Sequence, residues 1–487
     1  MSETIYNCLK ELRDCPDYPF HMPGHKRNTD LFSMDNPYGL DITEIDGFDN
    51  LHDAKDLIKG AMNRAAEIYQ SEETHFLVNG STSGILSGIM GATREGDRIL
   101  MMRNCHKSVY NAVFLNRLDA CYLYPEMIPE YGICSRVTAE QVNDTIKNMD
   151  SLPKLIVLVS PTYEGILSDI KGIVRLAHSL KIPVLVDEAH GAHFGFHPAF
   201  PVSSIQAGAD IVIQSLHKTM PCFTQTALIH LQGERVDRER IRQYLSMLQT
   251  SSPSYLFMAS IDDCIELVET KGAALFSSYA ERLSKFYKQM ETLQSLRVMG
   301  AKEERYRNPD IRDISKILIN TGMTKLNGNL LNNFLKKEYH LQMEMVCENQ
   351  VLAMTSVGDT DEGMKRLADA LILIDQSLEE KQKEEVLKEP SFLLCPVKRN
   401  MGIWQAFERE KNWTLLEDAE GKTAGSYVYP YPPGIPVLIP GEVVNETIIC
   451  AIKKMVQAKL DVKGIKIQKD KIMIETIKDT SALEKEQ

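Results

Sequence analysis

The chain has 487 residues and a formal net charge of −12, which allows two or three domains with a large core and disfavours a nucleic-acid partner. No apolar stretch approaches the roughly 18 residues of a membrane span, and residues 1–10 lack the basic-then-apolar layout of a signal peptide. The ten cysteines are scattered without a C-x-x-C pair, so we expect reduced thiols and a cytoplasmic location.

The first part of the chain predicts an arm followed by a large α/β domain. Residues 1–60 are polar and rich in turn signals, and we interpret them as an N-terminal arm. In residues 61–298, short apolar strands alternate with stretches of helical spacing, which predicts a mainly parallel, doubly wound sheet. The predicted strands are residues 76–78, 98–102, 120–124, 155–159, 184–186, 211–214 and 226–231.

Two smaller α+β domains are predicted after the large one. Residues 255–298 lack proline and have helical spacing, so long helices should lead out of the large domain. A small α+β domain is expected at 299–378, with strands at 317–320 and 350–356. The charge run within 379–391 indicates a solvated linker, and residues 392–487 would form a C-terminal α+β domain.

Asp187 and Lys218 each close an apolar strand of the large domain. Together they predict an enzyme that holds pyridoxal phosphate (PLP). The lysine would form a Schiff base with the aldehyde of the cofactor, since a partly desolvated amine loses its proton near neutral pH. The aspartate would keep the ring nitrogen protonated, because a nearby opposite charge favours the charged form. Taken singly, either residue is more commonly a solvated turn residue.

Several small polar residues follow other predicted strands. The segment 79–84 offers hydroxyls and free N–H groups at the start of a predicted helix, where they would bind a phosphate or serve as an ordinary helix cap. Ser215 and His217 stand beside Lys218 and could contact the same phosphate. The hydroxyl cluster at 250–254 is either a further contact or a turn.

Histidines supply one further cofactor contact and one rival interpretation. His106 follows the strand at 98–102, where an imidazole can lie flat on an aromatic cofactor ring or remain a polar loop residue. A zinc site is the rival, because the residue types suit that metal. Its ligands would be His190, His193 and His197, with Asp187 and Glu188 nearby. The spacing is not that of a helix-borne zinc site, so we assign no metal.

Taken in order, these segments resemble the Orn/Lys/Arg decarboxylase family of fold-type I PLP enzymes. The chain is most similar to the shorter bacterial members, which lack an N-terminal receiver-like wing domain. Each matching segment is short, and their number and order make the resemblance specific. The segments are residues 20–26, 51–52, 104–108, 160–163, 186–193, 215–218, 250–255, 431–436 and 440–442.

The resemblance implies a role for each candidate residue. Lys218 would be the Schiff-base lysine, Asp187 the partner of the ring nitrogen, and His106 and Ala189 would pack on opposite faces of the ring. The family assembles as homodimers with active sites at the interface, so the hydroxyls of the 250–252 cluster could reach across it. The implied phosphate contacts are Ser81, Thr82, Ser83, Ser215, His217, Thr250 and Ser251.

The resemblance also implies decarboxylation of a basic amino acid, with arginine favoured over lysine and ornithine. The cationic end of such a substrate needs a carboxylate partner, and Glu442, then Glu164, are the candidates. The proton donor at Cα is either Lys218 or His217. Two alternatives stay open: another PLP reaction such as an aminotransferase or aldolase, and a non-catalytic regulatory subunit with the same fold. A zinc hydrolase is a third and more distant alternative.

Overall fold

The computed structural model of the protein describes residues 16–21, 24–26, 28, 30, 37, 40–322, 324–347, 349–378, 396–431 and 434–478. The expected linker at 379–391 lies outside these ranges, as does most of the first 39 residues of the expected arm.

The strands and helices follow the order predicted for an α/β protein with added small domains. The strands are β1 Tyr18–Phe20, β2 Glu73–Leu77, β3 Arg98–Met102, β4 Asp119–Leu123, β5 Met127–Ile128, β6 Ile133–Cys134, β7 Leu155–Val159, β8 Val184–Asp187, β9 Ile211–Gln214, β10 Ala227–Leu231, β11 Arg297–Val298, β12 Lys316–Asn320, β13 Leu341–Met343, β14 Met345–Cys347, β15 Gln350–Met354, β16 Lys411–Leu415, β17 Tyr429–Pro430, β18 Val462–Lys463, β19 Ile465–Gln468 and β20 Lys471–Ile477. The helices are α1 Leu57–Tyr69, α2 Gly80–Ala92, α3 Lys107–Leu115, α4 Ala139–Lys147, α5 Ile170–Ser179, α6 Leu216–Thr219, α7 Arg238–Leu248, α8 Tyr255–Met290, α9 Gly328–Tyr339, α10 Asp361–Ser377, α11 Ile403–Phe407 and α12 Glu446–Gln457.

A seven-stranded sheet forms the centre of the large domain, in the order β2-β10-β9-β8-β7-β3-β4. Strands β9, β8, β7, β3 and β4 pair in parallel, and β10 runs antiparallel to both of its neighbours. The central strands are buried along their length, as expected for a sheet covered by helices on both faces. The predicted strands coincide with observed ones, with ends shifted by a few residues at most, and the α/β fold class is confirmed.

Helix α2 packs closely on this sheet because glycines face it. A Cβ added at Gly84 would lie 2.5 Å from the Leu77 side chain in β2, and one at Gly88 would lie 2.9 Å from the Leu185 side chain in β8. Any larger residue would push the helix away from the sheet. This close approach fixes the N-terminus of α2 at the edge where the parallel strands end.

The 36-residue helix α8 leads from the large domain to a four-stranded antiparallel sheet in the order β11-β12-β15-β14. Strand β11 begins at Arg297 and pairs with β12, so this sheet starts two residues before the expected domain boundary at 298/299. Helix α1 likewise begins at Leu57, inside the segment interpreted as an arm. The first difference arises because a two-residue strand carries no periodicity of its own.

The described part of the N-terminal arm is built into the fold. Strand β1 pairs in parallel with β13 of the small domain. The Gly24 N–H donates to the His217 carbonyl at 2.7 Å, beside the candidate lysine. Lys26 is buried, and its ammonium donates to the Met354 carbonyl at the end of β15. The arm therefore joins the large and small domains.

The C-terminal domain has its own core around the sheet β16-β20-β19 and helix α12. It contacts the large domain through ion pairs, including the one between Arg399 and Asp119 at 2.7 Å. None of the helices in the described ranges combines the length and apolar character that a membrane span requires.

The junction after α8 yields the first prediction. Asp375 in α10 is buried and accepts three backbone N–H groups, those of Gln294, Ser295 and Leu296, at 2.7–2.8 Å. Because Asp375→Ala leaves these donors unpaired, it should lower the free energy of unfolding by about 3 kcal/mol. Asp369→Ala, on the same helix, removes only an exposed pair with Lys365 and should cost less than about 0.5 kcal/mol. Urea unfolding measures both, and equal losses would contradict the assignment.

Candidate active site

The predicted site residues meet at one edge of the central sheet. Asp187 ends β8, Lys218 lies in α6 directly after β9, His106 follows β3, and Ser81 lies in the first turn of α2. Ligands of open α/β sheets bind outside the carboxyl ends of the strands, which is where these residues lie. Residues far apart in the sequence are thus neighbours in the structure.

Asp187 is buried, with 4% of its surface exposed, and its Oδ1 accepts the Ala189 N–H at 3.2 Å. Burial raises the pKa of this carboxyl, while the nearby Lys218 acts in the opposite direction. A carboxylate held in such a place favours a cationic partner, because an uncompensated charge is costly away from water. The site can therefore hold the protonated nitrogen of a heteroaromatic ring.

The Lys218 ammonium lies 3.1 Å from Nε2 of His190. Burial lowers the pKa of Lys218, while Asp187 and Glu344 raise it. Burial also lowers the pKa of His190 well below its usual range, with Lys218 adding to the effect, so this imidazole is neutral. A lysine with a lowered pKa beside a neutral imidazole is suited to act as a nucleophilic amine.

His190 connects Lys218 to the small domain. Its ring lies 4.6 Å from that of Tyr163, measured between centroids, and the Tyr163 hydroxyl donates to Glu344, which lies between β13 and β14. From the sequence, a chemical role was considered for His190 only as a zinc ligand, and none was considered for Glu344. Glu344 reaches the site only because distant segments pair, which no local pattern indicates. His190 could have been found, because it lies in the segment 186–193 that matches the family.

His106 caps helix α3, and its Nδ1 accepts the Ser108 N–H at 3.2 Å. This bond leaves the proton of the neutral ring on Nε2. Burial lowers the pKa of His106 to about 3, with Lys218 and Lys107 adding to the effect. The ring is therefore uncharged and suited to pack on another aromatic ring.

The first turn of α2 offers unpaired N–H donors, because its N-cap residue, Asn79, makes no side-chain cap. Ser81 Oγ lies 2.5 Å from Ser215 Oγ, so two hydroxyls meet at this turn. Thr82 is exposed, whereas the Ser83 hydroxyl donates to the Gly80 carbonyl within the helix. The turn can bind an anion through its N–H groups and the Ser81–Ser215 pair.

The remaining candidate phosphate contacts, Thr250, Ser251 and His217, lie outside the first turn of α2. Thr250 and Ser251 are exposed, and the Thr250 N–H donates to the Asn79 side chain at 3.3 Å, beside the same helix turn. His217 Nδ1 lies 2.8 Å from the Thr226 carbonyl, and burial lowers the pKa of this imidazole to about 4.

Glu442 requires a correction. Its carboxylate forms an ion pair with Arg103 at 3.1 Å, and both side chains are 1% exposed. The Ile439 N–H also donates to it at 2.9 Å. A buried carboxylate with its own arginine is not available to a substrate cation. The sequence interpretation is therefore not kept, and Glu442 instead joins the C-terminal domain to the large one.

The three histidines of the zinc alternative have separate partners. His190 contacts Lys218, His193 Nε2 lies 3.2 Å from Asp313, and His197 accepts the Ala199 N–H. Within the described ranges, no group of three or more His, Cys, Asp or Glu side chains is placed to hold a metal ion.

Comparison with solved structures identifies the fold. The lysine decarboxylase from Francisella novicida superposes with a TM-score of 0.77 at 21% identity, over 89% of this chain and 73% of that one. The lysine decarboxylase A from Pseudomonas aeruginosa gives a TM-score of 0.76 at 17% identity, over 98% and 84%. The chain thus has the fold of these decarboxylases.

Sequence comparison gives the family. The chain belongs to the Orn/Lys/Arg decarboxylases, whose major domain matches residues 4–310 and whose C-terminal domain matches residues 381–467. An arginine decarboxylase from Bacillus subtilis is 32% identical and aligns over 99% of both chains. The resemblance identified from the motifs is confirmed.

The second prediction concerns Glu442, whose carboxylate is assigned to Arg103 instead of the substrate. Glu442→Gln leaves the Arg103 guanidinium buried without its counter-charge and should lower the free energy of unfolding by about 3–5 kcal/mol. The KM for the amino acid should stay unchanged. Glu417→Gln is the matched control, because it removes an exposed pair with Lys453 and should cost less than about 1 kcal/mol. Urea unfolding and initial-rate kinetics test both, and a raised KM with unchanged stability would restore the substrate role.

Proposed function

We propose that this protein decarboxylates a basic amino acid with the help of PLP, with arginine favoured over lysine and ornithine. The proposal is carried by the Lys218–Asp187 pair at the carboxyl ends of β8 and β9, in a chain of this family. The arginine preference is supported by the alignment over 99% of both chains with the relative named an arginine decarboxylase.

The residues at the site fit PLP. Asp187 would hold the ring nitrogen, His106 and Ala189 would pack on the two faces of the ring, and Lys218 would carry the aldehyde carbon. When bound, PLP supplies an electron sink for the charge left at Cα after the carboxylate departs. The first turn of α2 would bind the phosphate, with Ser81, Thr82, Ser83 and Ser215 as its candidate contacts. His217 is not kept among them, because the single proton of its neutral ring is already bound to the Thr226 carbonyl.

We assign the return of a proton to Cα to Lys218 rather than His217. The ring of His217 has its Nδ1 at 2.8 Å from a carbonyl, which can only accept, so the single proton of the neutral ring is on that nitrogen. Its pKa of about 4 means that a second proton is absent at neutral pH. The restriction to a single, carbonyl-bound proton does not apply to the Lys218 amine, which lies within hydrogen-bond distance of His190 Nε2.

We assign the cationic end of the substrate to two carboxylates beside Tyr163. Glu164 adjoins it in the chain, and Glu344 accepts its hydroxyl. Both raise the pKa of Tyr163, after the larger effect of burial. Burial raises the pKa of Glu164 as well, so a substrate cation would compensate a carboxylate that is partly removed from water.

We further propose a cytoplasmic homodimer with active sites at the interface. Thr250 and Ser251 are exposed next to the anion-binding turn of α2, where hydroxyls could serve the neighbouring subunit. Sedimentation at micromolar concentration tests the dimer, and a monomer that retains full activity would rule it out.

The third prediction tests the reaction itself. Purified protein with added PLP should show the visible absorption band of a lysine Schiff base and release CO₂ from arginine faster than from lysine or ornithine. Lys218→Ala should abolish both signals, whereas Lys171→Ala, at an exposed position on α5, should change neither. A keto acid formed without CO₂ would indicate an aminotransferase, and a band without turnover would indicate a non-catalytic subunit.

The fourth prediction concerns substrate recognition. Glu164→Gln and Glu344→Gln should each raise the KM for the preferred amino acid by about 10-fold, because each removes a charged hydrogen-bond acceptor. Glu130→Gln, at an exposed position on a neighbouring loop, is the control and should leave KM unchanged. Unchanged KM in both test variants would refute the assignment.

A further inference from the structure

Lys316 is a buried lysine that the proposed function leaves unexplained. It is the first residue of β12, its side chain is 0% exposed, and among the described residues its ammonium has no hydrogen-bond partner. Burial lowers the pKa of Lys316 to about 8, while Asp313 acts in the opposite direction. An unpaired ammonium away from water is costly, so its presence calls for a ligand.

The position of Lys316 directs it towards the candidate active site. Its stem passes Gly165, where a Cβ would lie 2.9 Å from Cγ of Lys316, so the lysine fits only because that residue is a glycine. The charge of Lys218 lowers the pKa of Lys316, and the charge of Lys316 lowers the pKa of His190, whose ring contacts Lys218. Gly165 lies two residues after Tyr163, whose ring is 4.6 Å from that of His190, so Lys316 lies beside the residues that surround Lys218.

The neighbouring anions already have partners. Asp313 accepts from His193 Nε2 at 3.2 Å and from both the N–H and the hydroxyl of Ser315. Glu344 accepts the hydroxyl of Tyr163. The other buried lysine of this cluster, Lys26, donates to the carbonyls of His21 and Met354. Lys316 differs from Lys26 because no such acceptor reaches its ammonium.

We propose that Lys316 binds the α-carboxylate of the amino acid substrate. The inference rests on the proposed function, which requires an α-amino acid whose nitrogen reacts at Lys218. The carboxylate is attached to the same carbon as that nitrogen, so it must lie close to Lys218 and therefore near Lys316. A cation in that space attracts the carboxylate and repels the basic end of the side chain, which orients the substrate.

Two probes separate this role from a structural one. The first is arginine without its α-amino group, which keeps the carboxylate and cannot react with the cofactor. The second is the amine product, which lacks the carboxylate. Isothermal titration of the holoenzyme gives a Kd for each. We expect Lys316→Met to weaken the carboxylate probe by about 10- to 100-fold and the amine by less than twofold.

Lys26→Met is the matched control, because it removes a buried lysine of the same cluster whose ammonium is already bound. It should leave the ratio of the two Kd values unchanged. Lys316→Gln should repeat the selective loss, and neither Lys316 variant should lower the melting temperature, since no internal hydrogen bond is lost. An unchanged Kd for the carboxylate probe, or an equal loss for both probes, overturns the inference.

CO₂ release by the wild-type protein is recorded separately. Its absence with arginine, lysine and ornithine would count against the proposed function alone. The Kd ratio for the two probes would still decide whether Lys316 binds a carboxylate.

Discussion

The site depends on one constraint: two opposite charges are buried away from water at the carboxyl ends of two adjacent strands. Asp187 and Lys218 are held there by β8 and β9, which pair in parallel. Burial shifts each pKa towards the neutral form, and each residue opposes that shift in the other. Such an arrangement is stable when further groups compensate the charge, so it favours a bound ligand. The sheet thereby fixes the place of the chemistry.

The other two domains complete this place from different sides. The small domain brings Glu344 and Lys316, which extend the charge pattern beyond the central sheet. From the C-terminal domain, the Gly434 carbonyl accepts the Lys107 N–H at 3.3 Å, next to His106. The buried pair of Arg103 and Glu442 holds that domain against the large one. Residues at each domain boundary therefore also surround the site.

The sequence predicted what local pattern controls. Apolar runs gave the strands of the central sheet, and Asp187 and Lys218 were recognisable because each closes such a run. Lys316 and Glu344 were missed, because a charged residue at the end of a short strand resembles a solvated one until its neighbours are known. Glu442 was assigned to the substrate for the same reason: nothing local indicates that Arg103, 339 residues away, already binds it.

The early placement of the arm in the chain has a consequence for how the protein is made. Strand β1 precedes the central sheet in the chain and so leaves the ribosome before it, yet its partner β13 begins only at Leu341. Closing so long a loop is slow, and domains generally fold in the order of their synthesis. The central sheet can thus form while the arm still lacks its partner strand. A nascent chain stalled before Leu341 would have Lys218 and Asp187 in place but no partner strand for β1. Completion of the site is therefore a late step of biosynthesis.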